Sequence, residues 1–340
     1  MDETKEKLSL SDYFDAVDRR IRRLAGGDLR YDIRVCGKRL RVHFASAEDM
    51  RRSRFSFTGL ALEDEGTPDA ELSYWRDDSA FYLPGPAPEG AEIYKVSDET
   101  GELHILSGYF VKGIDRVRHR YYICRCAPED GPLFGYSHDM LPLLDLWARD
   151  NGWCIFHGAA VGENGKGVVL AGRNHAGKST LAIACMLRGM DLVTDDQYVA
   201  ELSGGTMTAM PIYRILGVNP DSYERLRPEL PILDTLEPWE EKIFLDISRL
   251  PLPERLPIRA IVVPVLANAP EPEIVPCPKG PAIVRIVHSS IQGIRENDDP
   301  RTVARMTGML SRLPVYEIRL TTDVYANADA LRRFLREELP

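Results

Sequence analysis

Val168-Val169-Leu170-Ala171-Gly172-Arg173-Asn174-His175-Ala176-Gly177-Lys178-Ser179-Thr180 decides the fold, because an apolar run there feeds a complete G-x-x-x-x-G-K-[ST] motif. That spacing predicts a phosphate-binding loop. Gly172 and Gly177 permit backbone angles that turn successive N–H groups inward, Lys178 adds a mobile positive charge for the β- and γ-phosphates, and Ser179 offers a hydroxyl to Mg²⁺. Residues 172–180, with Arg173, Asn174, His175, Ala176 and Thr180 included, are therefore the expected contacts to ATP. The flanks agree: Lys166-Gly167 closes a turn before the short apolar strand. Leu181, Ala184, Cys185 and Leu187 then recur at helical spacing up to Arg188-Gly189, so the positive end of the helix dipole faces the phosphates.

Moving outward, Asp191-Leu192-Val193-Thr194 reads as a strand that ends on Asp195-Asp196, with Tyr198-Val199-Ala200 starting another. Phosphoryl transfer needs a cradle, a metal and a group that orients or deprotonates the attacking oxygen. Adjacent carboxylates at a strand end point in different directions, so one can hold Mg²⁺ while the other faces the acceptor. The alternative for the pair is a solvated turn. Upstream, His157 interrupts apolar strand material at 153–156 and 158–161, placing it either to tune these acids or as a satisfied core histidine.

The 340 residues predict two domains, with apolar residues enough for two cores. Forty-three Lys and Arg against 52 Asp and Glu give a net charge of −9, which argues against general binding to nucleic acid or to an anionic membrane. Cys36, Cys124, Cys126, Cys154, Cys185 and Cys277 form no C-x-x-C pair and no zinc spacing, so they read as reduced thiols of a cytoplasmic protein. Residues 1–6 are charged and no long apolar segment follows, so neither a signal peptide nor a membrane span is expected.

Tyr13, Phe14, Val17, Ile21 and Leu24 mark one face of a helix that Gly26-Gly27 can end. Short alternating runs follow at 31–35, 40–44, 79–83, 92–96 and 120–124, the first two split by Gly37-Lys38 as in a hairpin, and they predict a mainly antiparallel sheet. Pro84 to Gly90 reads as a surface loop within it. The expected division is a β-rich α+β domain at 1–135 and an α/β P-loop domain at 136–340, opened by an amphipathic helix over 137–149. Nine prolines between 251 and 281 predict edge strands and loops, with no finer reading from 206 to 300. A helix over 300–313, a strand over 315–320 and a helix over 328–335 close the chain.

Three pieces in order carry a resemblance: Phe156-His157-Gly158-Ala159-Ala160-Val161, the phosphate loop, and Gly189-Met190-Asp191-Leu192-Val193-Thr194-Asp195-Asp196. Over about 150–200 the chain resembles the catalytic domain of the HPr kinase/phosphorylase family, whose P-loop fold is related to phosphoenolpyruvate carboxykinase. The resemblance implies ATP and Mg²⁺ used to phosphorylate a serine hydroxyl. It assigns Asp195 as general base, Asp196 and Ser179 to the metal, Lys178 to catalysis, and His157 to the vicinity of the γ-phosphate. The chain departs from the family where a Leu-Glu-x-Arg-Gly segment is expected, since Met210-Pro211-Ile212-Tyr213-Arg214 stands there. Arg214 is then a candidate phosphate or substrate contact, with an ordinary surface arginine as the alternative. Among divergent relatives the chain looks like kinases of ribosomal-peptide gene clusters, including lasso-peptide kinases that phosphorylate a serine at the precursor's C-terminal end.

The partner so implied is a peptide or protein with an acceptor serine, which the edges of the β-rich domain could hold as an extended segment; self-association stays open. The competing reading is a nucleotide-gated binding protein in which ATP only orders a partner surface. A small-molecule carboxykinase is disfavoured because no arginine cluster suited to a carboxylate lies near the loop.

Overall fold

Leu10, Tyr13, Phe14, Val17 and Ile21 are buried along one face of α1 (Leu10–Ala25), which Ser9 caps by accepting from the Asp12 N–H and Gly26 ends at φ 62°. The computed structural model describes residues 9–76, 93–106, 110–125, 140–173, 175–234, 241–267, 269–292 and 300–339. Asn174, Cys126, the expected strand at 79–83, the loop at 84–90 and the expected helix start at 137–139 lie outside them. Contacts divide the chain into two units: 1–147 without 35–37 and 58–60, and 148–340 with those two short pieces. The division thus falls inside a helix, twelve residues after the expected one at 135/136.

The first unit holds β1 (Arg30–Val35), β2 (Lys38–Phe44), α2 (Ala47–Ser56), β3 (Ala61–Leu62), β4 (Ala70–Arg76), β5 (Ile93–Ser97), β6 (Gly101–Leu106), β7 (Phe110–Asp115) and β8 (Arg120–Arg125). They form one sheet in the order β3-β1-β2-β4-β8-β7-β6-β5. Phe14 of α1 stacks on Tyr122 of β8 at 4.8 Å between ring centroids. The sheet is mainly antiparallel, as expected, with one exception: β4 runs parallel to both of its neighbours. The reason is connectivity: α2 and β3 between β2 and β4 return the chain to the end from which it started, as a parallel pair requires. Such a central strand is buried on both faces, and β4 accordingly buries Leu72, Ser73, Tyr74 and Trp75 in succession.

α3 (Leu141–Asp150) joins the units. It was expected to be amphipathic, yet Leu141 to Ala148 are all buried, Asp145 included, so both of its faces are covered.

The second unit comprises β9 (Cys154–His157), β10 (Ala159–Glu163), β11 (Lys166–Leu170), α4 (Lys178–Leu187), β12 (Asp191–Thr194), β13 (Gln197–Ser203), β14 (Thr206–Pro211), β15 (Ile215–Val218), α5 (Pro220–Leu226), β16 (Ile232–Leu233), β17 (Ile243–Asp246), β18 (Leu256–Leu266), β19 (Glu273–Pro276), α6 (Lys279–Gln292), α7 (Pro300–Leu310), β20 (Val315–Leu320) and α8 (Val324–Glu337). The main sheet runs β12-β10-β11-β18-β14-β13-β9, with β20 beside β18 and β19 beside β20, while β15, β17 and β16 form a small sheet. Alternation separates two layers. Val168 and Leu170 of β11 pack with α4 and α8, and Val169 packs with α6 and α7. The unit is therefore α/β, and among the described residues no helix is long and apolar enough to cross a membrane.

One expectation fails in an informative way. β18 is a central strand of 11 residues although it contains Pro257 and Pro264. Its pairing with β11 covers only Ile258 to Val262, so neither proline is paired on that side, while on the other side Pro257 stands opposite Thr208 of β14 and Pro264 opposite Ile318 of β20.

Candidate phosphoryl-transfer site

The loop between β11 and α4 lies at the end of a strand whose four last residues are fully buried, so its base is fixed while its tip faces solvent. Gly177 takes φ 92° as the residue preceding α4, and no side chain caps that helix. The first N–H groups of α4, those of Lys178, Ser179 and Thr180, are therefore without intrahelical acceptors and remain available to an anion. Gly172, Ala176, Ser179 and Thr180 are half-buried, while Arg173 and His175 are exposed. Lys178 folds back over the loop, its Nζ donating to the carbonyls of Gly172 at 3.2 Å and Arg173 at 3.1 Å. An incoming phosphate oxygen would take over the contacts that these carbonyls now hold.

The acids reach the loop through a tight connection between β12 and β13. The Thr194 hydroxyl donates to the Gln197 carbonyl at 3.0 Å, and the Gly158 N–H donates to the Asp196 carbonyl at 2.8 Å. The two carboxylates then part company. Asp195 is buried, and among the described residues its Oδ1 has no hydrogen-bond partner. Asp196 is half-buried and lies 3.3 Å from His157 Nε2 through its Oδ1. His157 ends β9 opposite Gln197 and is anchored by its own N–H, which donates to the buried Ser290 hydroxyl of α6 at 3.0 Å.

Burial, and then the charge of Asp196, push the Asp195 carboxyl up to about 7 against the opposing pull of Ser179, Lys242 and Lys178. Burial holds the Lys178 ammonium below its ordinary value, opposed by Asp196 and Asp195. A carboxylate near neutrality beside a lysine and a helix N-terminus is the electrostatic profile of a proton-transfer centre.

Gly158 makes this geometry possible. A Cβ there would stand 2.6 Å from the Leu170 carbonyl, the last residue of the strand that feeds the loop. Gly158→Ala is accordingly expected to cost roughly 1–3 kcal/mol through overpacking. Thermal melting of the variant checks this, since an unchanged midpoint would mean that the two backbones can move apart freely.

The sequence-predicted residues of the loop, His157, Asp195 and Asp196 thus meet in one place, with Asn174 outside the described residues. Arg214 does not join them. It is buried, not a surface residue, and donates to the Pro253 carbonyl at 3.0 Å. Three further residues had no sequence signal because they lie in the segment without a reading. Ser290 anchors His157, Ser222 of α5 shares a hydrogen bond of 2.9 Å with Thr180, and Lys242 adds positive charge near Asp195. The Lys242 stem passes over Gly217, where a Cβ would meet its Cδ at 3.1 Å.

No protein-family model matches the chain, and no curated protein matches it. Among solved structures it is similar to the structure of the Hpr(Ser) kinase/phosphatase from Coxiella burnetii, at 12% sequence identity and a TM-score of 0.28, covering 54% of this chain and 98% of that one. A likeness of that size leaves the function to be argued from the side chains.

Proposed function

We propose that the chain is an ATP-dependent kinase that transfers the γ-phosphoryl group to a serine hydroxyl of a peptide or protein. The observation that carries this reading is the convergence of a complete G-x-x-x-x-G-K-[ST] loop with a buried acid near neutrality, whose charge is felt by Lys178 of that loop. A gated binding protein needs one acid for the metal. Here there are two, in different environments and with different partners.

The donors fit Mg²⁺, a hard cation that binds proteins through few oxygen ligands and completes its shell with substrate phosphates and water. Ser179 Oγ and the accessible Asp196 carboxylate would hold it. Bound there, it would neutralise charge on the β- and γ-phosphate oxygens. The chain's own residues do the rest. The N–H groups at the start of α4 orient the phosphates, Lys178 leaves the loop carbonyls for the β- and γ-oxygens, and Asp195 accepts the proton of the serine hydroxyl. The serine oxygen–phosphorus bond forms as the bond from phosphorus to the bridging β-γ oxygen breaks, and ADP leaves. His157 holds Asp196 in place.

One observation favours the reverse division of labour between the acids. Ser179 pulls the Asp195 carboxyl towards its ionised form, as expected of a loop hydroxyl and an acid close enough to share a metal. The roles separate experimentally. With Asp196 on the metal, Ser179→Ala and Asp196→Asn both raise the Mg²⁺ concentration needed for half-maximal turnover. Titrations of both variants that overlay the wild type remove the assignment.

The acceptor serine as part of a ribosomal peptide precursor, such as the C-terminal residue of a lasso peptide, is supported by the sequence resemblance alone. Labelled ATP incubated with such precursors and with unrelated seryl peptides tests it. Equal labelling of all of them would remove the precursor as the specific substrate.

A further inference from the structure

β18 outruns the strand beside it. Its last partner on β11 is Val262, opposite Leu170, and Val263 to Leu266 continue past the phosphate loop, a rise of about 13 Å at ~3.3 Å per residue. On that overhang Leu266 pairs in register with Leu320, the last residue of β20. Alternation puts Leu266 on the same face as Val262, Ile318 and Leu320, the face covered by α4 and α8. Leu320 is buried, but Leu266 is 65% exposed. Both side chains border the loop: from the position of a Cβ on Gly177, Leu320 Cδ1 is 2.8 Å away and Leu266 Cδ2 is 3.9 Å away.

A single exposed leucine is ordinary on a protein surface. This one borders the helix N-terminus that would carry the phosphates, on a strand that extends past the cradle, while the acids sit on the connection between β12 and β13. A nucleotide whose phosphates lie along the loop has two ends to place. The γ-phosphate belongs with Asp195, Asp196 and His157 on the β12 side of β11, which leaves the nucleoside to the opposite side, that of β18 and β20, where the chain offers an apolar side chain.

We infer that Leu266, backed by Leu320, is the seat of the purine base of the nucleotide, covering one face of the ring. This rests on the nucleotide reading of the loop. The contact is apolar and unspecific for ring substituents, so adenine and guanine nucleotides are accepted alike, with affinity drawn from ring burial.

The test compares Mg²⁺ complexes of ATP, GTP and inorganic tripolyphosphate, which keeps the phosphate chain and lacks the nucleoside, by titration calorimetry on the wild type and on Leu266→Ser. The exposed position makes the variant a safe one for folding. ATP and GTP are expected to weaken by about tenfold, a part of the burial free energy of a leucine side chain, with tripolyphosphate unchanged. ATP affinity within twofold of wild type overturns the inference, and so does an equal loss for tripolyphosphate, which would make Leu266 a support of the loop. Wild-type protein that binds none of the three overturns the nucleotide reading itself, and the base seat with it.

Discussion

Asp195→Asn is expected to lower serine phosphorylation by about 10²–10⁴-fold while MgATP affinity stays close to wild type. Asn keeps the size and the capacity to accept a hydrogen bond but accepts no proton. A loose, dissociative transfer leans less on the base, which favours the lower end of that range. The same substitution has a second signature in the metal-free protein. A carboxyl raised to about 7 in the fold, against about 3.9 in the unfolded chain, is neutral in both states at low pH. As pH rises from about 4 to 7 the unfolded chain ionises first, so folding loses stability through that window and the loss is constant above it. Three pKa units correspond to a cost of up to roughly 4 kcal/mol at pH 8, which Asn avoids. Urea melts at pH 5 and pH 8 should therefore show a larger gain for Asp195→Asn at pH 8. Phosphorylation that persists unimpaired rejects the base role. Lost MgATP binding moves Asp195 to the metal and gives Asp196 the acceptor.

Lys178→Ala is expected to reduce phosphoryl transfer by about 10²–10³-fold, the loss typical of one preorganised donor to developing charge. Nucleotide binding should weaken in parallel, because the same ammonium meets the β- and γ-phosphates in the ground state. The fold should tolerate the change. Among the described residues Lys178 Nζ bonds the loop carbonyls of Gly172 and Arg173, which water can serve once the side chain is gone. Circular dichroism alongside a turnover assay checks both halves, and transfer near the parental rate would place the active site elsewhere.

The strand β11, the turn after it and the helix α4 were legible because their signal is local. Two glycines, a lysine and a hydroxyl at fixed spacing need no distant partner to be read. The acids were legible too, as a polar pair closing an apolar strand, and so was His157 as a polar break between apolar runs. What joins them was not. Gly158 meets Leu170 twelve residues away, and Ser290 reaches His157 from 133 residues away, contacts that no periodicity announces. The mainly antiparallel sheet of the first unit was legible, but not the parallel setting of β4, since alternation reports which face is buried and not whether a neighbour runs parallel. β18 was hidden by Pro257 and Pro264, which lie beyond its pairing with β11 but in register with Thr208 and Ile318 on its other side. Arg214 shows the converse: its charge suggested the surface or a ligand, while the fold gives it the Pro253 carbonyl in the interior.

The central claim is that residues 172–180, Asp195, Asp196 and His157 form a phosphoryl-transfer centre acting on a serine. The most direct measurement is incubation of the wild-type chain with γ-labelled ATP, Mg²⁺ and a broad seryl-peptide library, followed by mass spectrometry of the peptides and quantification of ADP. The account predicts phosphoserine in amounts matching the ADP released. MgATP bound at the loop with neither phosphopeptide nor ADP formed from any member would contradict it.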